Sequence, residues 1–181
     1  MTAIVADPGL FSTPLGRAKA GDHDAFALLV EEHESMVFGL AYHYFGDRGK
    51  AEEVAQEVFL QLYRSLGAIK SEAHLLFWLR QVATRRCIDQ SRRSRLKAVS
   101  LDDISEPQAR SEAPDPLRDR RLRKLVAELP EIQRAVVTLR YQEDLDPSDI
   151  CRIVQLPVNT VKSHLHRALQ SLRRKLGEIT P

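Results

Sequence analysis

A run of basic and short polar side chains near the C-terminus has the composition needed to bind DNA. Between Arg152 and Gly177 the sequence contains no acidic residue. Solvated helix faces usually mix both signs, because opposite charges four residues apart stabilise a helix. The absence of acids therefore favours side chains that bind phosphates and base edges of DNA. A basic helix face that is merely solvated is the alternative interpretation. The candidate DNA-binding residues are Lys162, Ser163, His164, His166, Arg167 and Arg174.

A second basic cluster lies in the middle of the chain, where Asp89 is the one acid among several cations. Its spacing from the neighbouring arginines would allow ion pairs along a helix, and cations near a helix C-terminus are also favoured by the helix dipole. A single carboxylate cannot neutralise the whole cluster, so a phosphate-binding surface is an equally good interpretation. The candidate residues are Arg85, Arg86, Arg92, Arg93 and Arg95.

The acidic face formed by Glu53, Gln56 and Glu57 does not have the pattern of a catalytic site. Gln56 cannot transfer protons, and no histidine, serine or lysine accompanies these residues in a cleft-like pattern. His164 and His166 are two residues apart, which would point them about 200° apart around a helix. The two cysteines lack CxxC spacing. We therefore expect no catalytic residues, no metal, no cofactor and no disulfide.

Helical periodicity predicts the elements that would position these side chains. Asp22 is a candidate cap for a helix over 24–44, and a second helix follows the break at Gly46. A third helix is predicted to begin at Ser71 and to run to about Arg95, with Trp78 in the core. No segment alternates with period two, so no strands are predicted.

The C-terminal pattern predicts a helix-turn-helix. Asp146 and Pro147 suit the cap and first turn of a short helix, and residues 155–158 suit a tight turn. Asn159 is a candidate cap for the second helix, which would enter the major groove of DNA. Its apolar stripe comprises Val161, Leu165, Ala168, Leu169, Leu172 and Leu176.

The sequence predicts an all-α fold, and a change in composition divides the chain into two small helical domains. A mobile tail is predicted at 1–14, the first domain at 15–97, a flexible acidic linker rich in proline at 98–118, and the second domain at 119–178. The net charge is only +2, and no apolar run is long enough to span a bilayer. No signal peptide pattern is present at the start. We expect a cytoplasmic protein without membrane insertion.

Several short motifs, in order along nearly the whole chain, resemble those of the extracytoplasmic-function (ECF) sigma factors of bacterial RNA polymerase. The first domain contains Gly21-Asp22, Ala51 to Leu60 and Phe77-Trp78-Leu79. The second contains Leu129-Pro130, Leu139-Arg140-Tyr141, Thr160 to Ser163 and His166-Arg167-Ala168. Each motif is only moderately specific, whereas the ordered set is highly specific.

The resemblance implies a role for each candidate surface. Glu53, Gln56 and Glu57 would bind the β′ clamp helices of core RNA polymerase, and the β flap would be a further partner. The cluster from Arg85 to Arg95 would bind the −10 element of promoter DNA, and the cluster from Lys162 to Arg174 would read the −35 element. The resemblance leaves open whether an anti-sigma factor binds the chain, and it implies nucleoid association when polymerase is bound.

Two other functions would fit parts of the sequence. A free-standing helix-turn-helix regulator would bind duplex DNA without polymerase, and its acidic face around Gln56 would be dispensable. A nucleic-acid-processing enzyme would need a metal or nucleophile constellation, and none is found in the sequence.

Overall fold

Eight α-helices, and no strand, make up the described part of this computed structural model, residues 13–98 and 116–177. The predicted all-α fold is confirmed. A short 3₁₀ turn, Leu66–Ala68, follows the third helix. The helices are α1 (Pro14–Lys19), α2 (His23–Phe45), α3 (Arg48–Ser65), α4 (Glu72–Ala98), α5 (Pro116–Ala127), α6 (Glu131–Tyr141), α7 (Pro147–Val154) and α8 (Val158–Gly177).

Local capping explains where several helices begin. The Asp22 carboxylate accepts a hydrogen bond from the Ala25 amide at 3.0 Å, as predicted, and Asp47 caps α3 in the same way. Ser71, predicted to begin the third long helix, accepts from the His74 amide through its hydroxyl. Gly46 ends α2 in the left-handed conformation at φ 66°, which glycine adopts at little cost.

The first half, α1 to α4, encloses an apolar core between its long helices. Leu29 and Leu40 of α2, Leu62 of α3 and Leu79 of α4 are all nearly or fully buried. Trp78 is partly buried and packs against this core, as predicted. The core fixes α3 and α4, which carry two of the predicted functional surfaces.

The second half, α5 to α8, buries Leu139 of α6 and Ile150 and Ile153 of α7 together with Val161 of α8. These residues belong to the same continuous apolar cluster as the core of the first half. The two halves therefore pack directly on each other, chiefly through α4 against α6 and α7 and through α2 against α5 and α6.

The tail and linker predictions fall largely outside the described residues. Residues 1–12 and 99–115 are not described, so neither the tail predicted at 1–14 nor the linker predicted at 98–118 is tested. At the edges, Pro14 begins α1 and Pro116 begins α5. Proline suits a first helical turn, because its fixed φ is already helical and its missing amide is not needed there.

We expect replacement of Leu79 by alanine to lower the free energy of unfolding by about 2–5 kcal/mol, because it leaves a cavity in the shared core. Leu96→Ala on the same helix is the matched control, since Leu96 is 72% exposed. Urea denaturation followed by circular dichroism measures both. Equal losses in the two variants would contradict the description of this core.

Candidate nucleic-acid interface

The helix-turn-helix predicted near the C-terminus is confirmed as α7, a tight turn and α8. Asp146 caps α7 by accepting from the amides of Ser148 and Asp149 at 2.8 and 2.9 Å. Gln155 ends α7 in the left-handed conformation at φ 56° and turns the chain towards α8. The prediction that Asn159 caps α8 is wrong. The helix already begins at Val158, and the Pro157 carbonyl accepts from the Val161 amide at 3.0 Å.

The exposed face of α8 carries most of the predicted DNA-binding residues. Lys162, Ser163, His166 and Arg167 lie together on the surface over the first turns, and Arg174 continues the same face two turns later. The Ser163 hydroxyl donates to the Asn159 carbonyl, and the Arg167 Nε donates to the Ser163 carbonyl at 3.2 Å. These bonds hold the Ser163 and Arg167 side chains close to the helix.

His164 does not share this face. It lies close to the buried stripe of Val161 and Ala168, and its Nδ1 is buried without a hydrogen-bond partner in the described residues. Burial, followed by the charge of Arg167, lowers the pKa of His164 from its ordinary value of 6.5. The imidazole is therefore mainly neutral at pH 7 and adds no positive charge to the reading face.

Positive charge on this face has no carboxylate partner in the part of the chain that the structure describes. Within residues 13–98 and 116–177, no carboxylate forms an ion pair with Lys162, Arg167 or Arg174. On α8, Lys175 pairs with Glu128, which follows α5, away from the predicted reading turns. This arrangement favours a polyanion as the ligand, because bound counterions would be released when phosphates approach.

The second basic cluster, on α4, separates into two groups. Arg85, Arg92 and Arg93 are exposed and form no ion pair within the described residues. Arg86 pairs with Glu57 at 3.0 Å, and Arg95 pairs with Glu131 of α6 at 3.1 Å. The alternative of a salt-bridged helix end stays open: Arg86 and Arg95 form ion pairs, although with Glu57 and Glu131 rather than with Asp89 in the described residues.

The acidic residues predicted to bind a partner point in two directions from α3. Glu53 accepts a hydrogen bond from Gln90 at 2.6 Å, and Glu57 binds Arg86, so both face α4. Gln56 is exposed and instead lines a groove between α2 and α3. The structure thus brings Glu53 and Glu57 towards the −10 candidates and leaves Gln56 on a different surface.

Two apolar grooves were not predicted from the sequence. The α2–α3 groove is lined by Phe26, Val30, Phe59, Leu60 and Tyr63, with Glu34, Glu52 and Gln56 at its polar positions. Leu60 and Tyr63 are each about half exposed. Exposed apolar patches of this kind commonly bind protein partners. The sequence signal that could have revealed this groove is the set of apolar residues of α3 that lie beside its predicted buried stripe.

The second groove, the α5–α8 groove, lies on the other half of the molecule. It is lined by Leu122 of α5, Tyr141 of α6 and Leu169 and Leu172 of α8, with His43 of α2 at its edge. Leu122 and Tyr141 are 42% and 57% exposed. This groove lies where α5, α6 and α8 meet.

Neither metal chemistry nor membrane insertion has support in the described ranges. They hold no group of three or more His, Cys, Asp and Glu side chains that could bind a metal ion. No helix within them is long and apolar enough to cross a membrane. Cys87 and Cys151 are free thiols, and burial raises the pKa of Cys87 far above its usual value.

Comparison with protein families gives two matches, one in each half of the chain. Residues 29–96 match the model of Sigma-70 region 2, and residues 119–172 match the model of Sigma-70 region 4. The first match covers most of α2 and all of α3, together with almost all of α4. The second covers α7, the turn and most of α8.

Full-length relatives and solved structures agree with these matches. The ECF RNA polymerase sigma factor SigW of Bacillus subtilis is 27% identical, over 90% of this chain and 95% of its own. The RNA polymerase sigma-H factor of Pseudomonas aeruginosa is 30% identical, over 88% and 90%. Two solved structures, each 18% identical, share the fold. CnrH in complex with the cytosolic domain of CnrY has a TM-score of 0.67, covering 92% of this chain and 97% of CnrH. RpoE in complex with the anti-sigma factor NepR from Bartonella quintana has a TM-score of 0.71, covering 86% and 98%.

We expect Asp146→Ala to destabilise the helix-turn-helix and Asp146→Asn to preserve most of its stability, because asparagine is also a good cap. Hydrogen bonds from Ser148 and Asp149 lower the pKa of Asp146. The ionised cap therefore stabilises the fold at neutral pH, and that contribution is lost as the pH falls through the folded-state pKa, below 3.8.

Thermal unfolding of both variants between pH 7 and pH 2 tests this assignment. The difference between the original chain and Asp146→Ala should shrink in acid. A difference that is constant over the whole pH range would contradict a cap that acts through its ionised form.

Proposed function

The chain belongs to the ECF sigma factors, the subunits that direct bacterial RNA polymerase to promoters, and from this premise we propose how its surfaces share that task. It binds core RNA polymerase and promoter DNA and initiates transcription with them. The observation that carries the assignment of surfaces is the acid-free, exposed face of α8 in a helix-turn-helix, combined with a separate basic helix in the other half.

We assign −35 recognition to α8. Lys162, Ser163, His166 and Arg167 would meet base edges and phosphates in the major groove, because the N-terminal turns of the second helix enter that groove in a helix-turn-helix. Arg174 would contact the backbone further along. His164, which is neutral and turned towards the protein, would support the helix rather than contact DNA.

We assign −10 binding to the exposed cations of α4, Arg85, Arg92 and Arg93. Arg86 and Arg95 would contribute only after releasing their present partners, Glu57 and Glu131. Opening the duplex costs a few kcal/mol for each extruded base, which capture of those bases by the protein would offset. The cations nearby would hold the backbone of the opened strand.

Core polymerase would bind through both apolar grooves. The α2–α3 groove, with Gln56 and Leu60, is our candidate for the β′ clamp helices, and the α5–α8 groove is our candidate for the β flap. Glu53 and Glu57 would support the first contact indirectly, since both already bind α4 side chains. Charge reversal at Glu53 or Glu57 would therefore disturb two surfaces together.

The segment between α4 and α5 would tether the −10 surface of α4 to the −35 surface of α8. Each basic surface alone neutralises few phosphates and binds weakly at physiological salt. Tethering makes the second contact intramolecular and raises its effective concentration. The segment reaches roughly 60 Å when extended, at about 3.3–3.6 Å per residue, and two turns of DNA span roughly 70 Å. The widths of the two domains add to the reach of the segment, so the chain can span the two promoter elements.

The remaining parts of the proposal follow from this division of labour. The halves correspond to residues 15–97 and 119–178, joined by the linker at 98–118. The chain performs no bond-making step, which belongs to the polymerase, and works in the cytoplasm, at the nucleoid when polymerase is bound. An anti-sigma partner stays a prediction; it is supported by the likeness to RpoE, which was solved in complex with the anti-sigma factor NepR from Bartonella quintana.

We expect Lys162→Ala and Arg167→Ala each to weaken use of the −35 element by about tenfold, because each removes a base or phosphate contact. Run-off transcription with core polymerase, on promoters with and without the upstream element, measures the effect. Arg64→Ala, which removes an exposed arginine of α3, is the control. Normal output from both variants would remove the assignment of α8.

We expect Leu60→Lys to reduce affinity for core polymerase by at least about tenfold, since it places a charge at the centre of an apolar contact. Leu28→Lys is the matched control: Leu28 is 47% exposed on α2 but does not line the groove. Fluorescence anisotropy with labelled chain and core enzyme measures both. Full binding by Leu60→Lys would overturn the docking assignment, whereas tight duplex binding by the chain without polymerase would favour a free-standing regulator.

A further inference from the structure

The first turn of α8 carries a polar side chain that the fold does not use. Because the Pro157 carbonyl accepts the first helical hydrogen bond, from the Val161 amide, Pro157 is the cap residue. Asn159 therefore lies at the second position inside the helix, where its side chain is exposed. Its carbonyl accepts a hydrogen bond from Ser163, but its carboxamide forms none with residues 13–98 and 116–177. This carboxamide is available to a ligand.

Asn159 shares a face of α8 with the side chains already assigned to DNA. It precedes Lys162 by three residues, Ser163 by four and His166 by seven, and residues at these spacings lie on one side of a helix. All four are exposed. Asn159 thus extends this face to its N-terminal end, which is the end of the second helix that enters the major groove in a helix-turn-helix.

The chemistry of a carboxamide matches one base better than the other three. It presents an N–H donor and a carbonyl acceptor side by side in one plane. In the major groove adenine presents the complementary pair, an acceptor at N7 and a donor at N6. Guanine presents two acceptors there, while cytosine presents a donor and thymine an acceptor. A carboxamide at this position therefore favours adenine through two hydrogen bonds.

The neighbouring side chains do not duplicate this pattern of donor and acceptor. The Ser163 hydroxyl donates to the Asn159 carbonyl at 2.9 Å, so its hydrogen is already used. Lys162 and Arg167 offer donors only and suit phosphates or guanine. From Val158 to His166 the sequence contains no other carboxamide. Paired recognition of an adenine on these turns therefore depends on Asn159.

We propose that Asn159 is a specificity-determining residue that selects an adenine in the −35 element through paired hydrogen bonds from its carboxamide. This inference rests on the proposed function, because it concerns the DNA-reading face of α8. A phosphate contact made by the same group is the competing outcome. Loss of a base contact relaxes selection at one position, whereas loss of a phosphate contact weakens binding to all sequences about equally.

Run-off transcription from a promoter library with a randomised upstream element tests the assignment, using the full chain with core polymerase. We expect the original chain to prefer adenine at one position and Asn159→Ala to lose about tenfold of that preference there alone. Gln170→Ala is the matched control, because it removes an exposed carboxamide from the same helix about three turns later. The control should keep the original preference.

Two further substitutions identify the contact atom by atom. Replacing the selected adenine by 7-deazaadenine removes only the N7 acceptor. We expect this change to lower output of the original chain by about fivefold and to have no further effect on Asn159→Ala.

Asn159→Asp keeps the size of the side chain but removes its donors, and an acid in the first turn of a helix is favourable for folding. Because an aspartate accepts from the N4 amino group of cytosine, this variant should prefer cytosine at the same position. A protein that failed to fold could not gain a new preference.

The outcomes separate this inference from the proposed function. Absence of any upstream preference in the original chain overturns the assignment of α8, and this inference falls with it. A preference that Asn159→Ala leaves unchanged at every position overturns this inference alone. So does a uniform loss over all sequences, which would assign the carboxamide to a phosphate, and so does an original chain that is insensitive to 7-deazaadenine.

Discussion

The burial of α4 on two sides is the constraint on which the rest of the structure depends. Leu75, Leu79 and Cys87 of α4 are fully buried in the apolar core. Arg80 and Gln81 of the same helix contact the second half. Apolar burial on one side favours a permanent position, because it removes large areas from water. The side of α4 that faces the second half continues the same apolar cluster and adds the polar contacts of Arg80 and Gln81.

Charge is distributed so that few cations of the reading surfaces are neutralised internally. The carboxylates of α3 bind Gln90 and Arg86, and Glu128 binds Lys175, whereas the outer face of α8 and the outermost arginines of α4 remain exposed to solvent. A net charge of only +2 therefore conceals two strongly positive surfaces. Local distribution, rather than total charge, governs attraction to a polyanion.

Features set by neighbours in sequence were predictable, and features set by distant packing were not. The caps at Asp22 and Asp146 and the helix-turn-helix follow from local patterns, and the ordered motifs indicated the family. The ion pair between Arg80 and Glu143 joins residues 63 apart, so no local pattern could reveal it. Periodicity identified the acidic face of α3 but not α4 as its neighbour. The helical spacing of His164, three residues after Val161, already indicated a position beside the buried stripe. The sequence prediction nevertheless grouped His164 with the DNA-binding residues.

The bonds between α3 and α4 have a thermodynamic consequence. Glu57 with Arg86, and Glu53 with Gln90, join the helix that lines the α2–α3 groove to the helix that carries the −10 candidates. Coupling between two ligands of one protein is reciprocal: whatever free energy polymerase adds to DNA binding, DNA must add to polymerase binding. These four side chains therefore lie where occupancy of one surface would be communicated to the other.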